Sequence, residues 1–210
     1  MVSRSPGVPV GVPSPASPAG LGGLARRLRA LPPSCGPVRL VAVDGHAGSG
    51  KSTLAGRLAE ALGGAPVLHL DDVASHDALF AWADRVLEQV VAPFSRGEPA
   101  RHGVYDWVRR AFREERVLPP APVVLVEGVG AGRRALRPHL ACLLWMELPA
   151  GEAWARGRRR DGPGLADFWD GWERAEHRHF TADPSRPYAN WLVRQHPGGH
   201  LVLPGPAGPR

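Results

Sequence analysis

The chain has 210 residues, 43% apolar and 22% charged, enough for one domain with a full hydrophobic core and too few for two of ordinary size. Its +6 net charge rests on 25 Arg and a single Lys, with no Ile and one Asn. Such a skew points to a GC-rich coding bias, which weakens the high pI as a sign of nucleic-acid binding. Two Cys, at 35 and 142, exclude a paired zinc or redox motif. With no apolar leader and no run near the ~20 apolar residues of a membrane span, neither export nor insertion is predicted, and the thiols fit a reducing cytoplasm.

Residues 1–19 are rich in Pro, Gly and Ser with almost no charge, and are predicted to form a disordered tail ahead of a single domain over 20–210. Leu21, Leu24, Leu28 and Leu31 recur at helical spacing before Pro32 and Pro33 stop the turn. Short continuous apolar runs follow at Val38 to Val43, Pro66 to Leu70, Val123 to Val126 and Ala141 to Leu148. Strands of that kind are covered on both faces. Helical composition between them, at Ser52 to Leu62, His76 to Val91 and Gly151 to Arg160, gives the β-α alternation of a parallel sheet with crossover helices, an α/β fold. Pro93 to Pro122 reads as a long functional connection with a basic helix-like piece at Arg109 to Arg116, and Leu201 to Leu203 as a last edge strand.

Gly45-His46-Ala47-Gly48-Ser49-Gly50-Lys51-Ser52 satisfies G-x4-G-K-[ST] directly after the first strand and at the start of a helix. Glycines at 45, 48 and 50 let the backbone curl until its N–H groups face one anion, and the helix N-terminus adds partial positive charge. Lys51, the only lysine, would reach the β- and γ-phosphates of ATP, and the Ser52 hydroxyl would ligate Mg²⁺. Acids stand at the ends of two later strands, Asp71-Asp72 and Glu127, where ligands of parallel sheets bind. Strand alternation turns only one of the paired acids to the phosphates, and Asp71 is favoured, with Asp72 or Ser75 able to cap the helix beginning near His76. Glu127 would hold Mg²⁺ or its water.

Arg156, Arg158, Arg159 and Arg160 precede Asp161-Gly162-Pro163-Gly164, a helix stop with hinge chemistry. Helical spacing puts Arg156 and Arg160 on one face, suited to neutralising a transferring phosphoryl group, and turns the other two away. Tyr105, Asp106 and Trp107 set an aromatic face beside polar groups, suited to a planar hydroxyl-bearing acceptor. His177 and His179, two apart on a helix, read as solvated, and most of the seven Trp as packing residues.

These residues together, namely Asp44 to Leu54, Asp71, Tyr105-Asp106-Trp107, Glu127-Gly128-Val129, and Arg156 with Arg160-Asp161, resemble the uridine-kinase-like branch of P-loop nucleoside and nucleotide kinases. The similarity runs from about Val38 to Asp161, with a fainter tail to Val193. It implies a doubly wound parallel sheet of about five strands with helices on both faces and an arginine-bearing lid after the fourth. It also implies that residues 45–53, through Thr53, hold ATP, that Asp71 takes the acceptor proton, and that Ser52, Asp71 and Glu127 surround Mg²⁺. Two positions depart from the pattern: Ala74, where that family has an aromatic lining the acceptor site, and Trp107, where Phe is commoner. The expected function is phosphoryl transfer from ATP to a hydroxyl of a small acceptor such as a nucleoside, with no nucleic-acid or membrane partner. A catalytically degenerate ATP-binding regulator acting through a partner is the alternative, motivated by Ala74.

Overall fold

The computed structural model describes residues 20–208, so the expected tail over 1–19 lies outside the described residues. Helix α1 (Leu21–Ala30) buries Leu24, Ala25 and Leu28 and leads into strand β1 (Arg39–Asp44). Then come helix α2 (Lys51–Ala61), strand β2 (Val67–His69) and a single helical turn α3 (Leu70–Val73). The next helix starts at α4 (Ala83–Val86), passes through a π segment (Leu87–Val91) and ends in α5 (Ala92–Ser95). It therefore begins seven residues later than its sequence suggests and runs through Pro93. The π segment directly before that proline is where its missing N–H and its ring are absorbed.

A two-stranded hairpin follows, β3 (Ala100–Asp106) with β4 (Ala111–Leu118). It replaces the helix expected at Arg109 to Arg116. The turn explains the difference: Asp106 Oδ1 accepts from the N–H groups of Val108 at 3.0 Å and Arg109 at 2.8 Å, and Arg110 takes a positive φ of 55°. Strands β5 (Val123–Glu127) and β6 (Leu140–Met146), helices α6 (Ala150–Asp161) and α7 (Ala166–Ala182), and strands β7 (Trp191–His196) and β8 (Gly199–Pro204) complete the described residues.

Six strands form the main sheet in the order β2-β5-β1-β6-β7-β8. All neighbours are parallel except β8, which is antiparallel at the edge. The continuous apolar strands divide by alternation. Leu40, Ala42, Val124 and Val126 face one core with Val86, Val90 and Phe94, whereas Val41, Val43 and Leu125 face a second core with Leu24, Leu28, Leu54 and Leu58. Helices thus cover both faces, and the crossover order brings the C-terminal ends of β2, β5 and β1 side by side. In register, Glu127 lies between Val43 and His69.

Candidate active site

After β1 the backbone turns through Gly45, Gly48 and Gly50, at φ of 148°, 81° and 98°. Gly48 has no room for a side chain: a Cβ there would stand 2.1 Å from the Ala153 carbonyl oxygen and 2.9 Å from the Gly157 nitrogen. Helix α6 therefore lies directly on the loop, and a Cβ on Gly157 would in turn meet the Trp169 ring of α7 at 2.2 Å. Loop, α6 and α7 are stacked backbone to backbone to ring.

Lys51, at 8% exposure, donates its ammonium to the His46 carbonyl at 3.0 Å. Across the loop, Ser52 Oγ donates to Glu127 Oε1 at 3.1 Å, and the same oxygen pairs with His69 Nδ1 at 2.6 Å. Glu127 is 4% exposed. The His69 pKa is raised chiefly by its hydrogen bond to Glu127, against the opposing effect of burial.

Asp71 does not end a strand. It sits on the turn α3, with its carboxyl open to the cavity but crowded by the walls. That crowding first, and the nearby Glu127 second, raise its pKa, while Lys51 and His69 pull the other way. Asp72 points away and pairs with Arg116 of β4. The two acids diverge, as a helical turn also dictates, although the alternation of a strand is not the reason.

Lys51, Ser52, Thr53, Asp71 and Glu127 line a cavity of about 650 Å³. Arg156 and Arg160 of α6 also face it. Arg156 donates to Gln195 at 2.8 Å and Arg160 pairs with Asp161 at 2.6 Å. Arg158 turns to α7, where Asp170 and Glu173 hold it, and Arg159 is exposed.

His76, Trp107, Phe168 and Trp172 line the same cavity, together with Val108 at the hairpin tip, which is 91% exposed. Trp107 packs against His76 at 5.0 Å and Phe168 at 6.2 Å between ring centroids. Its two sequence neighbours are elsewhere. Tyr105 is buried, bonded through its hydroxyl to His76 Nδ1 at 3.0 Å, and Asp106 is spent on the hairpin turn and on Arg109. Ala74 lies in the core, so the aromatic lining comes from His76, Trp107 and α7 instead.

Three polar residues in this region carry contacts beyond any role read from the sequence. Asp44 is fully buried and accepts from the N–H groups of Gly45, Gly130 and Gly132 at 2.7, 2.9 and 2.8 Å, tying the loop to the turn after β5. The strand-end rule that pointed to Asp71 and Glu127 could have found it. His179 is buried and stacked on Phe80 at 4.8 Å, not solvated as its spacing from His177 suggested. Burial first, and then Arg133, lower its pKa. Glu176 is fully buried beneath the loop.

Oxygen donors on Ser52, Asp71 and Glu127 suit a hard divalent cation. Among the described residues no cluster of three His, Cys, Asp or Glu could hold a metal by itself. Mg²⁺ fits such a set when phosphate oxygens and water complete its shell.

No protein-family model matches the chain, and no curated protein does. Solved structures do. D-glycerate 3-kinase from Cryptococcus neoformans aligns with a TM-score of 0.55 at 13% identity over 86% of this chain and 94% of its own. A possible uridine kinase from Bacillus stearothermophilus aligns at 0.53 and 17% over 75% and 94%. A candidate fructose transport system kinase from Silicibacter sp. TM1040 aligns at 0.50 and 24% over 78% and 89%. The chain has the P-loop kinase fold. The glycine loop follows β1, and α6 stands where the sequence reading expected an arginine-bearing lid. None of the helices among the described residues is long and apolar enough to cross a membrane.

Proposed function

We propose that the chain is an ATP-dependent phosphotransferase that moves the γ-phosphoryl group to a hydroxyl of a small acceptor, with a nucleoside the best-suited class. One observation carries the reading: one cavity is lined by the glycine loop with its lysine, by the carboxylate of Asp71, and by the rings of His76, Trp107, Phe168 and Trp172. In this reading residues 45–53 cradle the ATP phosphates. Asp71 accepts the hydroxyl proton as the acceptor oxygen bonds to the γ-phosphorus and the bond to the β,γ-bridging oxygen breaks. Its raised pKa suits a base better than an ordinary Asp.

Lys51, Arg156 and Arg160 offset the charge that spreads over the transferring oxygens. Ser52, Asp71 and Glu127 would hold Mg²⁺, which supplies further charge neutralisation when bound. Trp107 and Phe168 stack the acceptor. The protein would work in the cytoplasm as a single domain over 20–210, without nucleic acid.

ADP release measured across nucleosides, nucleotides, vitamins and sugars tests this, read against the acceptor-free rate and against Lys51→Ala. Acceptor-stimulated release that Lys51→Ala abolishes is the expected result. Tight ATP binding with no stimulation by any acceptor would favour an ATP-binding regulator. The ring wall at the acceptor end weighs against that reading, because it supplies what Ala74 lacks.

A further inference from the structure

Helix α7 touches both halves of the cavity. Phe168, Trp169 and Trp172 line it, and one turn beyond Trp172 comes Glu176, at 0% exposure. Four N–H donors converge on its carboxylate. Oε1 accepts from His46 Nδ1 at 2.7 Å and Trp154 Nε1 at 2.9 Å. Oε2 accepts from the Ala47 N–H at 3.1 Å and from Trp172 Nε1 at 2.8 Å. His46 and Ala47 are the second and third residues of the phosphate loop, Trp154 belongs to α6, and Trp172 to α7 itself.

The chemistry of the node admits one kind of group. Indole and backbone N–H groups can only donate, so both oxygens must act purely as acceptors, which an ionised carboxylate does with about four lone-pair sites. A glutamine of the same shape would turn an NH₂ group toward two donors. An unpaired buried carboxylate is costly, and here every site is filled, so the charge is held in one geometry. Burial alone would raise the Glu176 pKa, but the hydrogen bonds from His46 and Ala47 outweigh it and hold the group below its ordinary value.

We propose that Glu176 is a positioning residue that sets the register between the phosphate loop, the lid helix α6 and the aromatic wall on α7, so that the loop is shaped for nucleotide only while this carboxylate grips it. The proposal rests on the reading of residues 45–53 as a nucleotide site. Arg156 stands two residues beyond Trp154, so the node that fixes Trp154 also fixes where the lid arginine meets the loop. A carboxylate that served stability alone would need no partner on the loop, yet two of its four are there.

Calorimetric titration of the full chain with Mg·ADP and with the non-hydrolysable analogue Mg·AMP-PNP tests this on wild type, Glu176→Gln, Trp154→Phe and the double variant, with circular dichroism and melting temperature recorded for each. Wild type should bind both nucleotides; if it binds neither, the nucleotide-site reading itself fails. Given wild-type binding, Glu176→Gln should weaken both by about tenfold or more in the folded protein, the scale of a misplaced binding element. Trp154→Phe, which removes one donor, should weaken them by about threefold.

The double variant should bind no more than about twofold worse than Glu176→Gln, since both act on one node. Glu176→Gln that binds like wild type, even with a lower melting temperature, would reduce the residue to a structural role and overturn the proposal. Should Glu176→Gln fail to fold, Trp154→Phe decides: weakened nucleotide binding supports the coupling and unchanged binding overturns it.

Discussion

Trp107 Nε1 donates to the main-chain carbonyl of Asp71 at 3.1 Å, so the ring at the hairpin tip is tied to the turn that carries the cavity carboxylate. Two variants separate these linked roles. Trp107→Phe keeps an aromatic face and loses the N–H, so it should lower kcat by about threefold to tenfold through the Asp71 turn while KM for the acceptor changes little. Trp107→Leu loses both and should also raise KM for the acceptor, with KM for ATP nearly unchanged. A fall in melting temperature with acceptor kinetics intact would make Trp107 a packing residue only.

The paired acids should behave very differently. Asp71→Asn should keep ATP binding and lose transfer by about a hundredfold or more, the usual scale for a general base. Asp72→Asn gives up only its partly exposed pair with Arg116, worth about 0–1 kcal/mol, and should leave kcat within about twofold. Steady-state kinetics on both variants checks this, and equal losses would contradict the separation.

Glycines at 48 and 56 form a contrast inside one short segment. At Gly48, φ is +81° and the Ala153 oxygen would be 2.1 Å from a new Cβ, so Gly48→Ala should push α6 off the loop and weaken Mg·ADP binding by about tenfold or more. Gly56 lies within α2 with nothing within 4 Å of the Cβ position. Gly56→Ala should raise the melting temperature by about 2 °C, from its helix propensity of about 0.5–1 kcal/mol, with nucleotide affinity unchanged. Titration and thermal melts of the two variants check both expectations.

Acid should reveal the Glu176 node in thermal melts. The hydrogen bonds from His46 and Ala47 hold its folded pKa below the ordinary glutamate value, so its contribution to stability is fully present above that ordinary value and fades as pH falls through the folded one. Glu176→Gln lacks this ionisation. The melting-temperature gap between wild type and Glu176→Gln should therefore be widest near neutrality and narrow steadily below about pH 4.5. A gap that stays constant down to pH 3 would contradict the assignment.

The glycine loop was legible as a strand-to-helix turn because its parts are contiguous: strand, glycines, lysine and helix follow one another between residues 39 and 61, and each has a local signature. The parallel core was legible for a similar reason, since runs such as Leu40 to Val43 are apolar at every position and bury both faces. Hairpin strand β4 was not. Phe112 to Val117 is exposed on both faces, so no apolar period marks it as a strand, and its basic residues mimic a helix surface. Glu176 and His179 occupy the buried stripe of α7 with Trp169 and Trp172, but their polarity hid that stripe. Their partners come from elements up to 130 residues away, which local pattern does not carry. Of the rings lining the cavity, Trp107 was read from the sequence, whereas His76, Phe168 and Trp172 were not, because only the folded chain brings them beside it.

The edges of the sheets have a consequence for how the molecule behaves among its own copies. Strand β2 is three residues long at one margin of the main sheet, too short a template for another chain to add to. In the hairpin, β4 presents Arg113, Glu114, Glu115 and Arg116 in succession to solvent. A run of charges of this kind discourages a foreign strand from docking on the free margin, because each added residue would have to shed hydration from an ionised neighbour. Overexpressed protein should therefore resist strand-to-strand aggregation at the hairpin that overhangs the cavity.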